Sequence, residues 1–219
     1  MRNCEEASVR GMKKLLFVAL ALGLVSPVAL ASVPPAEAWQ IGPIIRGKNY
    51  SVGIGGSLRS GPEGPWFAFP LEGRGHIHYV TLPTGPLEGA RRITVRYRID
   101  AEPGTRFVAQ EYGHAGNFGI AFQRAGDTWT AKGRYDAYRW YSPGIVPLTP
   151  GVHTFTARLD DPRWISVGYR PASQNPQGFA EALADTQSVS MTFGAEGGRG
   201  HGVYSTAPAR FTLLDFRID

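Results

Sequence analysis

Arg-Arg-Ile-Thr-Val-Arg-Tyr-Arg-Ile, at residues 91–99, alternates polar and apolar side chains from its second residue onward. In a β-strand, successive side chains point to opposite faces of the sheet. The apolar residues of this stretch therefore share one face, and Arg92, Arg96 and Arg98 share the other. The pattern predicts a strand whose apolar face lies on a hydrophobic core.

The same two-residue period recurs elsewhere, at residues 118–122, 153–159 and 188–193. Shorter strand-like patterns occur at residues 66–71, 76–82, 106–112, 135–141, 164–169 and 211–218. One short helical pattern stands at residues 178–185. The chain has 219 residues, with 28 glycines and 17 prolines to form turns. Many short strands with turn residues between them predict an all-β protein, and the length suits a single jelly-roll β-sandwich.

The first 31 residues read as a targeting segment. A basic Met12-Lys13-Lys14 precedes an apolar run at residues 15–24, and Ala29-Leu30-Ala31 has the small-x-small pattern of a cleavage site. This order is typical of a cleaved secretory signal peptide, and the run is too short to span a bilayer. We therefore expect a leader and signal peptide at 1–31, a flexible lead-in at 32–38 and one β-sandwich domain at 39–219.

Charge and cysteine content limit the function classes. The formal charge of +5 falls to +3 once the leader is removed, because four basic and two acidic residues leave with it. A charge this small does not indicate nucleic-acid binding. Cys4 is the only cysteine and lies in the leader, so the mature chain forms no disulfide. We expect a bacterial protein that is secreted or periplasmic, with no membrane span and with its oligomeric state left open.

Arg92, Arg96 and Arg98 share the polar face of the stretch at residues 91–99. Guanidinium groups along one strand could dock a polyanion such as a uronate-bearing polysaccharide. The alternative is a solvated outer face.

His76 and His78 stand two residues apart, so on a strand they would share a face and could bind a metal. Glu111 and His114 are candidates for the third ligand. The alternative is that both histidines are surface or partly buried residues without a ligand.

The segment 134–141 mixes aromatic and charged residues. As a strand, it would place Arg134, Asp136, Tyr138 and Trp140 on one face. Flat aromatic rings stack on sugar rings, and charged side chains bind hydroxyl groups, so this face predicts a carbohydrate groove. The alternative is that the aromatic rings belong to the core.

Residues 194–204 form a glycine-rich segment that lacks the Lys-Ser/Thr pair of a phosphate-binding loop. Arg199 and His201 could reach a ligand from it, and the alternative is a plain connecting loop. The sequence contains no Gly-x-Ser-x-Gly and no His-Glu-x-x-His motif.

The segments 198–204 and 209–218 resemble the closing strands of bacterial concanavalin A-like, or jelly-roll, carbohydrate-binding domains. The resemblance implies a non-catalytic protein that binds a polysaccharide or oligosaccharide, and a structural calcium to which Asp215 would contribute. From the mixed aromatic and polar segment 134–141 and the glycine-rich loop, we predict that the ligand contacts are Arg134, Tyr138, Trp140, Glu111, Arg199 and His201.

Two other functions stay open. The chain also resembles alginate-lyase-like sandwiches in residue types, which implies a polysaccharide lyase acting on uronates by β-elimination. Tyr138 or His114 would then be the base, and Arg96 or Arg134 would neutralise the carboxylate. That family's Arg-x-Glu-x-Arg strand and Gln-x-His pair are missing here. The third possibility is an exported structural or adhesion module.

Overall fold

A computed structural model of the chain describes residues 33–111 and 113–219. The predicted leader with Cys4, and the cleavage site at Ala31, lie outside the described residues. The strands, numbered in chain order, are β1 Gln40–Gly42, β2 Ile44–Ile45, β3 Lys48–Asn49, β4 Trp66–Ala68, β5 Tyr79–Pro83, β6 Arg92–Ala101, β7 Phe107–Ala109, β8 Asn117–Arg124, β9 Arg139–Tyr141, β10 Val146–Pro147, β11 Gly151–Arg158, β12 Ile165–Ser166, β13 Thr186–Gly194, β14 Val203–Ser205 and β15 Ala209–Ile218. The helical elements are 3-10 turns at Ala36–Ala38, Gly133–Ala137 and Ala172–Gln174, and the α-helix α1 at Pro176–Ala184.

Two antiparallel sheets face each other. The larger has seven strands in the order β1-β5-β13-β8-β9-β12, with β10 paired to β8, and the smaller has the order β11-β6-β15-β4. Over the described residues, the chain passes from one of these sheets to the other seven times, between β1 and β4, β4 and β5, β5 and β6, β6 and β8, β10 and β11, β11 and β12, and β13 and β15, as in a jelly-roll. The predicted all-β sandwich is confirmed.

The alternating stretch at residues 91–99 lies in an inner strand of the four-stranded sheet. It forms most of β6, and Ile93, Val95, Tyr97 and Ile99 are each at most 2% exposed. The Tyr97 ring lies 4.6 Å from the Phe118 ring of the opposite sheet and 4.9 Å from the Phe211 ring of neighbouring β15. Burying side chains of this size contributes about 2–3 kcal/mol each, so the alternating strand is a major source of stability.

Several predicted strands are shorter than expected, among them 66–71, 106–112 and 164–169, and the shortening of 135–141 bears on the site. Residues 133–137 form a 3-10 turn, in which Tyr138 N donates to Tyr135 O at 3.2 Å, and only Arg139–Tyr141 pair with β8. Gly133 opens the turn with φ of 59°, which takes the chain out of extended geometry. Arg134, Asp136 and Tyr138 therefore do not share a strand face with Trp140.

The helix begins two residues before the predicted start. Asn175 caps it by accepting a hydrogen bond from Gly178 N at 3.2 Å, and Pro176 fills the first helical position, where no backbone donor is needed. Within residues 33–111 and 113–219, no helix is long and apolar enough to cross a membrane.

Candidate functional site

The outer face of the seven-stranded sheet carries a second buried cluster, separate from the core. Tyr79 on β5 and Tyr141 on β9 meet there, with their hydroxyl oxygens 2.8 Å apart. Arg139 Nε donates to the Tyr141 hydroxyl at 2.9 Å, and Arg139 Nη1 lies 2.8 Å from Asp127 Oδ2. The Arg139 and Asp127 side chains are only 5% and 0% exposed. A polar face this deeply buried must be covered, and loops cover it.

Trp129 belongs to that cover. Its ring lies 5.1 Å from the Tyr79 ring and 4.6 Å from the Arg139 guanidinium. Asp127 holds the loop in place because its Oδ1 accepts a hydrogen bond from Trp129 N at 2.9 Å. Trp129 itself has φ of 64°, a backbone conformation that non-glycine residues seldom adopt. The loop therefore presents an aromatic side chain at the sheet face at the cost of some backbone strain.

A groove lies above this cluster, formed by two adjoining pockets of about 360 and 170 Å³. Tyr141, Val167 and His201 line both pockets. The larger pocket is also lined by Pro43, Tyr50, His76, His78, Tyr79, Gln110, Glu111, Trp129, Arg139 and Gly200. The smaller one is also lined by Ile165, Ser166, Tyr169, Glu196, Gly197 and Arg199.

The glycine-rich segment forms one wall of the groove. At Gly200, where φ is 72°, a Cβ would lie 2.2 Å from the Tyr79 ring, and at Gly202 it would lie 2.9 Å from His78 Nε2. Only glycine permits this approach. The close packing brings Arg199 and His201 over the sheet, so this segment is more than a plain connecting loop.

Two histidines lie side by side in the larger pocket. The rings of His76 and His78 are 4.7 Å apart, and His76 Nε2 is 3.0 Å from Tyr50 O. His78 Nδ1 lies 2.8 Å from Gly200 O, so Nδ1 carries the proton. The other ring nitrogen of His78 is buried next to the Gln110 side chain. Burial lowers the pKa of His78 to about 4, so this side chain is neutral at physiological pH.

A third histidine forms a pair with a carboxylate. His201 Nδ1 donates to Glu111 Oε2 at 2.6 Å, and both side chains are more than 40% exposed. The pair links the glycine-rich segment to the turn after β7. The sequence analysis named both residues, and the structure brings them together in the larger pocket.

Other predicted ligand residues lie outside both pockets. Arg134 donates to the hydroxyl of Tyr135 at 3.0 Å, and the Tyr138 ring lies 5.0 Å from the Arg124 guanidinium, beside the 3-10 turn. Trp140 requires a correction, because it is 0% exposed in the core and has no ring face open to a ligand. Its indole donates to Ala137 O at 2.8 Å.

The residues predicted for β-elimination do not converge. Arg96 is exposed on the outer face of the four-stranded sheet, on the opposite side of the core from the groove. His114 lies in the turn between β7 and β8, where its carbonyl accepts from Ala109 N at 2.8 Å. Arg134 and Tyr138 are beside the 3-10 turn.

The predicted metal ligands do not form a metal site. In the part of the chain that the structure describes, no group of three or more His, Cys, Asp or Glu side chains is arranged to hold a metal ion. Glu111, a candidate third ligand for His76 and His78, is paired with His201. Asp215 lies on the other sheet, 2.8 Å from Arg217, so its surroundings do not fit a structural calcium.

Several groove residues were missed by the sequence analysis. Tyr50, Trp129 and Tyr169 come from loops, where no periodicity marks the direction of a side chain. A usable signal was present for Tyr141, because the predicted strand 135–141 placed Arg139 and Tyr141 on the face opposite Trp140. That other face is the one under the groove.

No family model matches the chain, and no curated protein matches it. Among solved structures, it is similar to a mutant xylanase 10C from Cellvibrio japonicus in complex with xylopentaose, with 15% identity and a TM-score of 0.38; the similarity covers 83% of this chain and 28% of that one. It is also similar to a structure described as "CBM4 structure and function", with 14% identity and a TM-score of 0.35, covering 84% of this chain and 94% of that one.

Proposed function

We propose that the groove on the seven-stranded sheet binds a carbohydrate chain and that the protein acts without catalysis. The observation that carries this proposal is the continuity of the two pockets, which share Tyr141, Val167 and His201. Two adjoining pockets suit an extended ligand that places different sugar units in each of them.

The lining has the chemistry that sugars need. Tyr169 is 77% exposed and lines the smaller pocket, and Tyr50 is 41% exposed and lines the larger one. Trp129 adds a third aromatic ring. Aromatic faces stack on the C–H faces of sugar rings, and polar groups nearby fix the hydroxyls. Gln110 and the His201–Glu111 pair supply such groups in the larger pocket.

Two observations support a binding role over a lyase. Arg96, His114, Arg134 and Tyr138 are spread over separate parts of the molecule, as described above. Of the two tyrosine hydroxyls at the floor of the groove, that of Tyr79 is a poor base, because burial raises the pKa of Tyr79 well above its usual value. Tyr79 is therefore a hydrogen-bonding group at physiological pH.

Tyr169→Asn tests the proposal. Asparagine tolerates the positive φ of 64° at this position, so the change removes the ring and spares the backbone. Tyr138→Asn is the matched control, since it removes the same ring outside both pockets. We expect the native protein to be retarded in native gels that contain xylan, β-glucan, mannan, pectate or alginate, and Tyr169→Asn to lose this retardation while Tyr138→Asn keeps it.

The proposal fails if no polysaccharide retards the native protein, which would leave a structural or adhesion module. It also fails if the two variants bind equally well. Thermal unfolding of each variant separates loss of binding from loss of fold. A product released from any of these polysaccharides would contradict the non-catalytic part of the proposal.

We also propose that the protein acts outside the cytoplasm, because of the leader pattern at residues 1–31. N-terminal sequencing of the protein from culture medium or periplasm tests this. A mature chain that starts at Ser32 is expected, and an uncleaved chain in the cytoplasm would overturn it.

A further inference from the structure

Among the described arginines that are not fully exposed, Arg210 and Arg199 lack a carboxylate partner. Arg210 packs over the Trp66 ring at 4.1 Å, and Arg199 is the one of the two that lines the groove. It is half-buried in the smaller pocket, and its guanidinium has one hydrogen bond, from Nη1 to Ser142 O. No carboxylate lies within ion-pair distance of it among the described residues. By contrast, Arg98, Arg124 and Arg139 each pair with at least one carboxylate.

An unneutralised guanidinium away from bulk water is costly. Burial lowers the pKa of Arg199, and the Glu196 carboxylate, which lies beyond ion-pair distance, only partly offsets this effect. Taking one charge out of water without a partner is unfavourable, so such groups in folded proteins are usually paired. Here the open side of the pocket is the remaining place for a partner.

We propose that Arg199 forms an anion subsite, through which the groove selects glycans bearing carboxylate or sulfate groups over neutral glycans. This inference rests on the proposed function, because it names the ligand class of the same groove. A guanidinium offers five N–H donors in a planar fork, which matches the paired oxygens of a carboxylate or a sulfate.

The apolar and aromatic lining of the pocket fits an acidic sugar that meets Arg199, while the Glu196 carboxylate in the same lining disfavours an anion on its own side of the pocket. Ile165 and Val167 line it beside Arg199, and apolar walls strengthen a charge-assisted hydrogen bond. Tyr169 lines the same pocket, so one sugar ring can stack on its face while the acidic group meets Arg199. Arg199 Nη1 donates to Ser142 O, and this hydrogen bond fixes the orientation of the guanidinium group.

The test uses the native protein and two matched arginine changes. Arg199→Gln removes the charge and can still donate a hydrogen bond to Ser142 O. Arg96→Gln removes the same charge on the opposite sheet, where Arg96 is exposed. Binding is measured by calorimetry on two pairs of ligands. Pectate is paired with its methyl-esterified form, and a sulfated galactan is paired with its desulfated form.

We expect the native protein to bind at least one acidic glycan about tenfold or more tightly than its neutral counterpart, because a charge-assisted hydrogen bond contributes on that scale. Arg199→Gln is expected to abolish this preference, and Arg96→Gln to preserve it. Preference within the pectate pair identifies a carboxylate as the anion, and preference within the galactan pair identifies a sulfate. If Arg199→Gln does not fold, Arg199→Lys replaces it, and we expect a reduced preference because the ammonium lacks the fork.

The failures are distinguishable. Equal affinity for acidic and neutral forms overturns the anion subsite and leaves carbohydrate binding standing. An equal loss in Arg96→Gln and Arg199→Gln also overturns it, since the effect would then be net charge. Binding to none of these four ligands, nor to xylan, β-glucan, mannan or alginate, overturns the proposed function, and the subsite with it.

Discussion

The two sheets turn chemically different outer faces to solvent. On the four-stranded sheet, arginines stand next to carboxylates in open ion pairs, such as Arg92 with Asp219 at 3.1 Å and Arg217 with Asp215 at 2.8 Å. On the seven-stranded sheet, the Arg139–Asp127 pair is nearly or fully buried beneath Trp129, at the floor of a groove. The same kind of ion pair is thus a solvated surface feature on one face and a structural element on the other.

This difference shows that an arginine pattern in the sequence does not by itself indicate a binding site for an anion. The face with the most regular arginine pattern, on β6, is the one where Arg92 and Arg98 are matched by carboxylates of this chain. The unmatched, half-buried Arg199 comes from a loop on the other face. The arginine pattern that is visible in the sequence is thus mostly neutralised by carboxylates of the same chain. The arginine that is available to a ligand, Arg199, is not part of that pattern. Four predictions test the contrast between the two faces.

The largest effect is expected at the buried ion pair. Asp127→Asn leaves the Arg139 guanidinium buried without an anion, and breaking a buried pair in this way costs about 3–5 kcal/mol. Asp160→Asn is the control, since it breaks the exposed Arg158–Asp160 pair of the other sheet. Urea unfolding should show a large loss of unfolding free energy in Asp127→Asn and none beyond error in Asp160→Asn. Similar losses in the two variants would remove the distinction between the faces.

Acid should destabilise the groove face through His78. Its pKa is about 4 in the folded protein, chiefly because of burial, against about 6.5 when unfolded. Between these values the unfolded chain binds a proton that the folded chain does not, so stability falls as the pH drops from 6.5 toward 4. At about pH 4.5 the loss from this group is roughly 2.5 kcal/mol.

His78→Asn isolates that contribution, because asparagine does not titrate and its amide nitrogen can take the place of Nδ1, which donates to Gly200 O. We expect the native protein to lose more unfolding free energy than the variant between about pH 7.5 and pH 4.5. The other groups of the groove are present in both proteins, so the comparison reports chiefly on His78. Parallel pH profiles would show that His78 titrates normally in the folded state.

The glycine-rich wall provides the third prediction. Gly200→Ala places a Cβ 2.2 Å from the Tyr79 ring at a φ of 72°, so the segment must shift. Strain of this kind costs about 1–3 kcal/mol, and the shift displaces Arg199 and His201. Gly85→Ala is the control, because nothing lies within 4 Å of its added Cβ and Gly85 lines neither pocket. We expect weaker glycan binding and a lower melting temperature only in Gly200→Ala; equal behaviour would mean that the wall tolerates displacement.

Sequence reasoning recovered the sandwich because its strands are set by alternation. Ile93, Val95 and Tyr97 had to share a face, and they do. The groove was harder to predict. A shift of one residue decides which face of residues 135–141 is buried. In addition, a turn at Gly133–Ala137 replaced half of that predicted strand. Treating Trp140 as a ligand residue was the consequence.

The loop residues of the groove also divide into those that the sequence predicted and those that it did not. Glu111, Arg199 and His201 were named from residue type alone, but their convergence depends on contacts far apart in sequence, such as His201 with Glu111. The residues around Trp129 and Tyr169 in the sequence do not mark them as groove residues. Each adopts a positive φ, which the packing of the folded loop requires and the residue type does not indicate. Loops are placed by what they pack against, and a single sequence does not contain that information.

The smallest effect is expected on the arginine face. Arg92 and its partner Asp219 are 57% and 41% exposed, so water solvates both charges and salt screens them. Arg92→Gln should change the unfolding free energy by at most about 0.5 kcal/mol. Glycan affinity should not change either, because Arg92 lies on the sheet opposite the groove. Urea unfolding and calorimetry on the same sample check both statements. Weaker binding of an acidic glycan by Arg92→Gln would show that the arginine face takes part in recognition, and the groove would then not be the sole site of selectivity.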